Sequence, residues 1–185
     1  MREQNSVDYT LSFLVLLFFI FSFIGWAWEV IFHIAIDGVF INRGVFYGPW
    51  LPIYGTGGVL MTLLAVKLKE HPLRLFAAIV AVSAVIEYVT SVALERMTGS
   101  RWWDYSEYRF NFQGRICLYG LLLFGIGGCF LIYHVMPVLE KRIGKMPLNV
   151  RRGICTVLVI LFLADALLVL RSPNQGAGIS IAAMR

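Results

Sequence analysis

The chain has 185 residues, is 59% hydrophobic and carries a formal net charge of +5, and its mean hydropathy is +0.76. Soluble domains run about 45–50% apolar, so an ordinary soluble globular domain is excluded. The basic residues gather in loops rather than in the stripe that a nucleic-acid surface needs, so no nucleic-acid partner is expected, and the lipid bilayer is the expected environment.

Five apolar runs approach the roughly 20 residues needed to cross a hydrocarbon core of about 30 Å: Leu11–Ile36, Pro49–Val66, Leu73–Met97, Ile116–Val138 and Ile154–Leu170. They predict an all-α, polytopic membrane bundle of about five transmembrane helices, one domain over residues 1–171. The Gly/Ala-rich tail 172–185 is expected to be flexible and is assigned no role. The first run is longer than the about 7–15 residues of a signal-peptide core and no small-x-small site follows it, so it reads as a span. The segment 139–153 holds Lys141, Arg142, Lys145, Arg151 and Arg152. By the positive-inside rule this loop and the N-terminus face the cytoplasm, and loops 37–48 and 98–115 face outward.

A shift of seventy residues brings a pattern back. Phe40, Gly44, Gly55, Gly57 and Gly58 fall on Phe110, Gly114, Gly125, Gly127 and Gly128, with Tyr54 on Phe124 and Leu51 on Leu121. This is the mark of a tandem two-helix repeat, each unit a span ending near a carboxylate, a loop, and a Gly-rich returning span. The glycines would let helices approach closely. They are not phosphate cradles, because no strand precedes them and no Gly-Lys-Ser/Thr follows.

Six carboxylates fall in or beside apolar runs: Glu29, Asp37, Glu87, Glu95, Asp104 and Asp165. A charge in hydrocarbon costs several kcal/mol, so each needs a partner, a cavity or a task. Ser22, Trp26, Glu29 and His33 share one helix face, and Ser83, Glu87, Ser91 and Glu95 share another. These stripes are either helix-helix hydrogen-bond seams or the lining of a cavity at the outer end, toward which Glu29, Glu95 and Asp165 point. The segment 42–55 is too rich in proline and glycine for a regular helix. It predicts a partly unwound entry to the second span with backbone groups available to a ligand, or else an ordinary turn. Arg43 and Arg115 are expected to pair with Glu29 or Glu95, as structural ion pairs or as a site where an anion displaces a carboxylate. Trp102, Trp103 and Tyr105 suit the membrane interface, which leaves Asp104 among them unexplained.

The candidate substrate-binding set is therefore Glu29, Asn42, Arg43, Tyr47, Tyr54, Glu87, Glu95, Trp103, Asp104, Asn111 and Arg115, and no catalytic residue is assigned. His33 with nearby carboxylates has no metalloprotease-like spacing, so no metal and no cofactor are expected. Cys117, Cys129 and Cys155 lie in apolar segments without Cys-x-x-Cys spacing and read as packing residues.

Six ordered motifs resemble a known family: Gly25-Trp26-x-Trp28-Glu29-Val30, Asn42-Arg43-Gly44-x2-Tyr47-Gly48-Pro49, Pro52-Ile53-Tyr54-Gly55, Glu87-Tyr88-x-Thr90-Ser91, Trp102-Trp103-Asp104-Tyr105-Ser106, and Phe110-Asn111-x2-Gly114-Arg115-Ile116-Cys117-Leu118. They resemble, over about residues 20–130, the bacterial ABC-transporter permease family of the CmpB type (ABC-transporter type IV). The resemblance implies a multi-pass permease subunit of the bacterial cytoplasmic (inner) membrane, served by a separate ATPase subunit. This chain has no ATP-binding motif of its own, and its small size points to a homo-oligomer. It is read as a transport subunit rather than an enzyme. The alternative is a membrane-embedded enzyme acting on a lipid or cell-envelope precursor, with a buried Glu as acid or base and the arginines holding a phosphate.

Overall fold

The structure, a computed structural model, describes residues 9–174. Five helices form the bundle: α1 (Leu11–Asp37), α2 (Pro52–Leu68), α3 (Pro72–Thr98), α4 (Leu118–Gly144) and α5 (Leu148–Arg171). A two-stranded hairpin, β1 (Asn111–Phe112) with β2 (Ile116–Cys117), sits between α3 and α4. Four of the helices are long and apolar enough to cross a membrane, and α2 is shorter at 17 residues. At a rise of 1.5 Å per residue it spans about 26 Å. It starts at Pro52, which fits the first helical turn because its missing N–H is not needed there. The expected second span from Pro49 is thus three residues too long at its start. The fourth starts two residues later than expected, because Ile116 and Cys117 belong to the β-hairpin.

The expected loop 139–153 is mostly helix. α4 continues to Gly144 and α5 starts at Leu148. Met136 and Ile143 bury an apolar face that carries the helix past the basic residues, whose stems can run along apolar surface while their charges reach water. Within α4, residues Leu131–Val135 form a π-helical turn, and the Met136 amide bonds the carbonyl of Leu131. Pro137 follows at once, lacking the amide that a regular ladder needs.

The helices are laid down as two antiparallel hairpins, α1–α2 and α3–α4, with α2 packed also on α3 and α5 lying against α1. The hairpins are built alike. Each first helix ends on a left-handed glycine, Gly38 or Gly99, and each loop turns on another, Gly44 or Gly114. In each returning helix the outer glycines of the Gly-x-Gly-Gly group touch the preceding helix. An added Cβ at Gly55 would strike the Ser22 hydroxyl and the Phe18 carbonyl, and one at Gly58 the Phe21 ring. At Gly125 it would strike Phe76 and Val80, and at Gly128 it would strike Ile79. The middle glycines do not share this crowding: Gly57 has only the end of Met61 at 4.0 Å, and Gly127 has no neighbour within 4 Å. The tightest approaches lie inside each hairpin, and Gly128 is also met by the Met61 sulfur of the first hairpin, at 3.0 Å from an added Cβ.

These contacts also align the first helices. Phe18 matches Phe76 and Phe21 matches Ile79, an offset of 58 residues (18 to 76, 21 to 79), against 70 for the returning helices. The second hairpin takes up the difference at its outer end, in a longer α3, an earlier start to α4 and a longer loop that carries the β-hairpin. The same offset places Glu29 on Glu87 (29 to 87).

The interior has two tiers. Away from the long loops, Phe13, Leu17, Met61, Leu75, Ile79, Ile132 and Met136 form an apolar core. The buried face of α3 runs Leu75, Ile79, Ser83, Glu87, Ser91 in steps of four, changing from apolar to polar on the way. The end that carries loops 38–51 and 99–117 is called the crown below.

Gly55→Val and Gly125→Val should each destabilise the protein by about 1–3 kcal/mol or more through overpacking. Gly57→Ala and Gly127→Ala should leave stability at or above the wild-type level. Thermal unfolding of the purified chain in detergent separates the two pairs.

Candidate functional site

The first crown loop is tied down by the last helix. Asp165, buried on α5, accepts from the Tyr47 amide at 3.1 Å, the Gly48 amide at 2.8 Å and the Trp50 indole at 2.8 Å. Three donors on one carboxylate repay its desolvation in a way that a lone partner does not. Just beyond α5, the side-chain amide of Asn174 donates to the carbonyls of Asn42, Gly44 and Phe46, and its backbone amide bonds the carbonyl of Val45. The Tyr47 hydroxyl donates to the carbonyl of Ser172 at 2.7 Å. Asn42 accepts from the Trp26 indole at 2.6 Å and donates to the carbonyl of Tyr47. The irregular backbone foreseen at 42–55 is present over 42–51, whereas 52–55 form the first turn of α2, and the loop's backbone groups named here are spoken for within the chain. Asp165 is accordingly a strap for the loop, and residues 172 and 174 of the tail belong to the crown. The remainder of the tail, 175–185, lies outside the described residues, as does the side chain of Asp37.

The second loop carries a separate ionic network. Arg115 bonds Glu95 and donates to the Ser91 hydroxyl at 2.9 Å. Arg101 lies 3.8 Å from Glu95 and 3.4 Å from Asp104. Asp104 also accepts from the amide and hydroxyl of Ser106 at 2.9 and 2.6 Å. Gly114, with φ 65°, sits so close to Asp104, Ser106 and Arg101 that a Cβ would collide with all three. Beside it Gln113 takes φ 53°, uncommon for a residue with a side chain. It is held by Tyr88, whose hydroxyl donates to it at 2.8 Å, and by Arg101 on its carbonyl. Asn111 closes the turn by accepting from the Gly114 amide, and the Trp103 indole donates to the Arg115 carbonyl. Trp102 is buried against Val45 of the first loop and Val169 of α5, so the two loops and the last helix share a small apolar core.

Beneath the crown, between the two hairpins, lies a buried carboxylate with one unsatisfied oxygen. Glu29 accepts from the Tyr54 hydroxyl at 2.6 Å and has Arg43 at 3.7 Å from its other oxygen. Its structural counterpart Glu87 is 5% exposed. It accepts from the Tyr105 hydroxyl at 2.9 Å, while its Oε2 has no hydrogen-bond partner. Glu29 and Glu87 lie within electrostatic reach of each other and of both tyrosines. The Tyr54 ring meets the Phe124 ring at 6.2 Å, so the paired positions of the repeat touch at the seam. Burial, and then the charge of Glu87, push the Tyr105 phenol well above its usual range, which keeps it a donor.

The sequence-derived residues thus sort into three groups. Glu29, Arg43, Tyr54 and Glu87 come together at the seam. Glu95, Asp104, Asn111, Arg115 and Trp103 build the second loop. Asn42 and Tyr47 belong to the first loop. Tyr105, Gln113 and Asn174 had not been singled out as site residues. The aromatic-acidic run Trp103-Asp104-Tyr105 was a signal for the first of these, whereas Asn174 sits in a tail with no pattern to mark it. Among the described residues no three metal-ligating side chains converge.

Asp165→Ala should strip the Tyr47 and Gly48 amides and the Trp50 indole of their acceptor. At about 1–3 kcal/mol per unsatisfied donor, hydrogen exchange at those two amides should rise at least about tenfold. Asp104 gives a pH test. The Ser106 hydroxyl, ahead of the Ser106 amide and Arg101 and against the opposing effect of desolvation, holds its carboxyl below the ordinary 3.8. A depressed folded value means that its stabilisation is complete above about pH 4 and is lost as pH falls through the folded value. The stability gap between wild type and Asp104→Asn should be constant above about pH 4 and close below it, as read by tryptophan fluorescence during unfolding.

Comparison with known proteins places this architecture. No curated protein and no solved structure matches the chain. The family model described as "Putative ABC-transporter type IV" matches residues 16–170. That match takes in both hairpins, both crown loops and nearly all of α5, and with four helices long enough to cross a bilayer it makes the chain a multi-pass membrane protein that belongs to the ABC-transporter type IV family.

Proposed function

We propose that this chain is the membrane-embedded permease subunit of an ABC-type transporter of the bacterial cytoplasmic membrane. Its crown faces outward, and its substrate engages the seam of Glu29, Arg43, Tyr54, Glu87 and Tyr105. The observation that carries the reading is Glu87: a buried carboxylate with one bare oxygen, at the interface of two repeated hairpins. Substrate sites of repeat-built transporters lie at such interfaces, and an intramembrane acid kept without full compensation marks a working position. The orientation is supported by Lys67, Lys69, Arg74, Lys141, Arg142, Lys145, Arg151 and Arg152, which collect at the end opposite the crown.

ATP is hydrolysed on a separate chain, because no Gly-Lys-Ser/Thr phosphate loop occurs in this sequence. The basic end of α4 and α5 is the surface available to such a partner. The reading as an enzyme on an envelope precursor has less support. It needs Arg43 and Arg115 for a phosphate, and the structure has both engaged by carboxylates.

Purification of the tagged chain from native membranes should bring down a stoichiometric ATPase. A homo-oligomer with no ATPase would overturn the permease assignment.

A further inference from the structure

The two repeats treat their equivalent carboxylates differently. In the first, the loop arginine before the left-handed glycine, Arg43, reaches Glu29. In the second, the arginine after the matching glycine, Arg115, goes to Glu95 and Ser91, eight and four residues beyond Glu87 on α3. Glu87 is left with a phenol on one oxygen and nothing on the other. The charge that bears on it is that of Glu29, which has the same sign. With Glu87 ionised, Glu29, Glu87 and Arg43 leave one negative charge in excess at the seam.

A second unsatisfied group lies on the same buried face of α3. The Ser83 hydroxyl, one helical turn from Glu87 on the same buried face, is 7% exposed and has no hydrogen-bond partner. A buried hydroxyl and a buried carboxylate oxygen, both unsatisfied and one helical turn apart on one face, each lose about 1–3 kcal/mol or more. A cation would satisfy both at once and cancel the excess charge. An anion would meet two carboxylates, and a neutral apolar ligand would leave them bare. The Tyr54 and Phe124 rings at the seam add faces that attract positive charge.

From these contacts we infer that the seam binds a single positive charge against Glu87 Oε2 and Ser83 Oγ, supplied by an alkali cation or by the ammonium group of the transported substrate. This deepens the assignment of the seam as the substrate site and rests on it for the place, not for the ATPase.

The test uses the full purified chain at constant ionic strength, with N-methylglucamine as the bulky background cation. Thermal unfolding is followed while Na⁺, K⁺ or ethylammonium replaces it. The wild type should be stabilised saturably by at least one of the three. Saturation by Na⁺ or K⁺ assigns the site to an inorganic ion, and saturation by ethylammonium alone assigns it to a substrate amine. Glu87→Gln should weaken half-saturation at least about tenfold, and Ser83→Ala should weaken it in the same direction, which keeps the test open if Glu87→Gln does not fold. Glu107→Gln, on the exposed crown surface, should titrate like the wild type. A wild type blind to all three cations, or variants at Glu87 and Ser83 that respond as it does, would overturn the site. If such a cation-blind protein still brings down its ATPase, the permease assignment stands without the cation.

Discussion

A carboxylate inside a bilayer must be met, and most of the crown exists to meet one. Asp165 takes three donors from the first loop. Glu95 takes Arg115 and shares Arg101 with Asp104. Glu29 takes Tyr54 and Arg43. Each solution does two things at once: it removes the desolvation penalty and it fixes a loop whose own sequence would not hold a shape. Irregular backbone at this depth needs such cover. The positive-φ turn at Gln113–Gly114 persists for the same reason, clasped by Tyr88 and Arg101. Seen this way, the rigidity of the crown is a consequence of charge compensation, and Glu87 stands out because compensation stops there.

The duplicated hairpin explains why the exception lies where it does. Glycines at matched positions set the depth of each returning helix on its partner, so the two first helices are placed alike and their acids fall on either side of one seam. The loops then break the equivalence. The second is longer, folds its own β-hairpin and sends its arginine to the end of α3. Below the seam the core is apolar and continuous, which keeps the polar tier confined to the crown end. The fifth helix has no counterpart in the repeat. It packs on α1 and straps the first loop through Asp165.

Much of this was legible in the residues. Hydropathy alone marks the long helices, because nothing but a bilayer favours runs of that length. The glycine spacing marks the repeat, since Gly55, Gly58, Gly125 and Gly128 are there for contact. The offset of 70 residues is right for the returning helices, but the first helices align at 58, which sets Glu29 on Glu87, because the extra residues of the second hairpin lie between them. The i+4 stripe of Ser83, Glu87, Ser91 and Glu95 is a single buried face. Other features were hidden because they depend on contacts distant in sequence. Asp165 reads as a cavity acid until three donors from a loop over 100 residues away are seen on it. The basic segment 139–153 reads as a loop because its apolar anchors, Met136 and Ile143, are sparse among charges. The two-residue strands are too short for any alternation to show.

The claim on which the rest turns is that the two hairpins meet face to face at the level of Glu29 and Glu87, through Tyr54 and Phe124. It is tested most directly by placing cysteines at those two positions in a chain whose Cys117, Cys129 and Cys155 have been replaced by alanine. The pair is bridged in native membranes with a short thiol-specific bifunctional cross-linker, which spans the space that the two rings fill, and the linked peptides are identified by mass spectrometry. The account predicts efficient cross-linking of Tyr54→Cys to Phe124→Cys, and none between Tyr54→Cys and a cysteine at Gly127, which faces away from the packed core. Failure of the first pair in folded protein, or equal yield from the second, would contradict it.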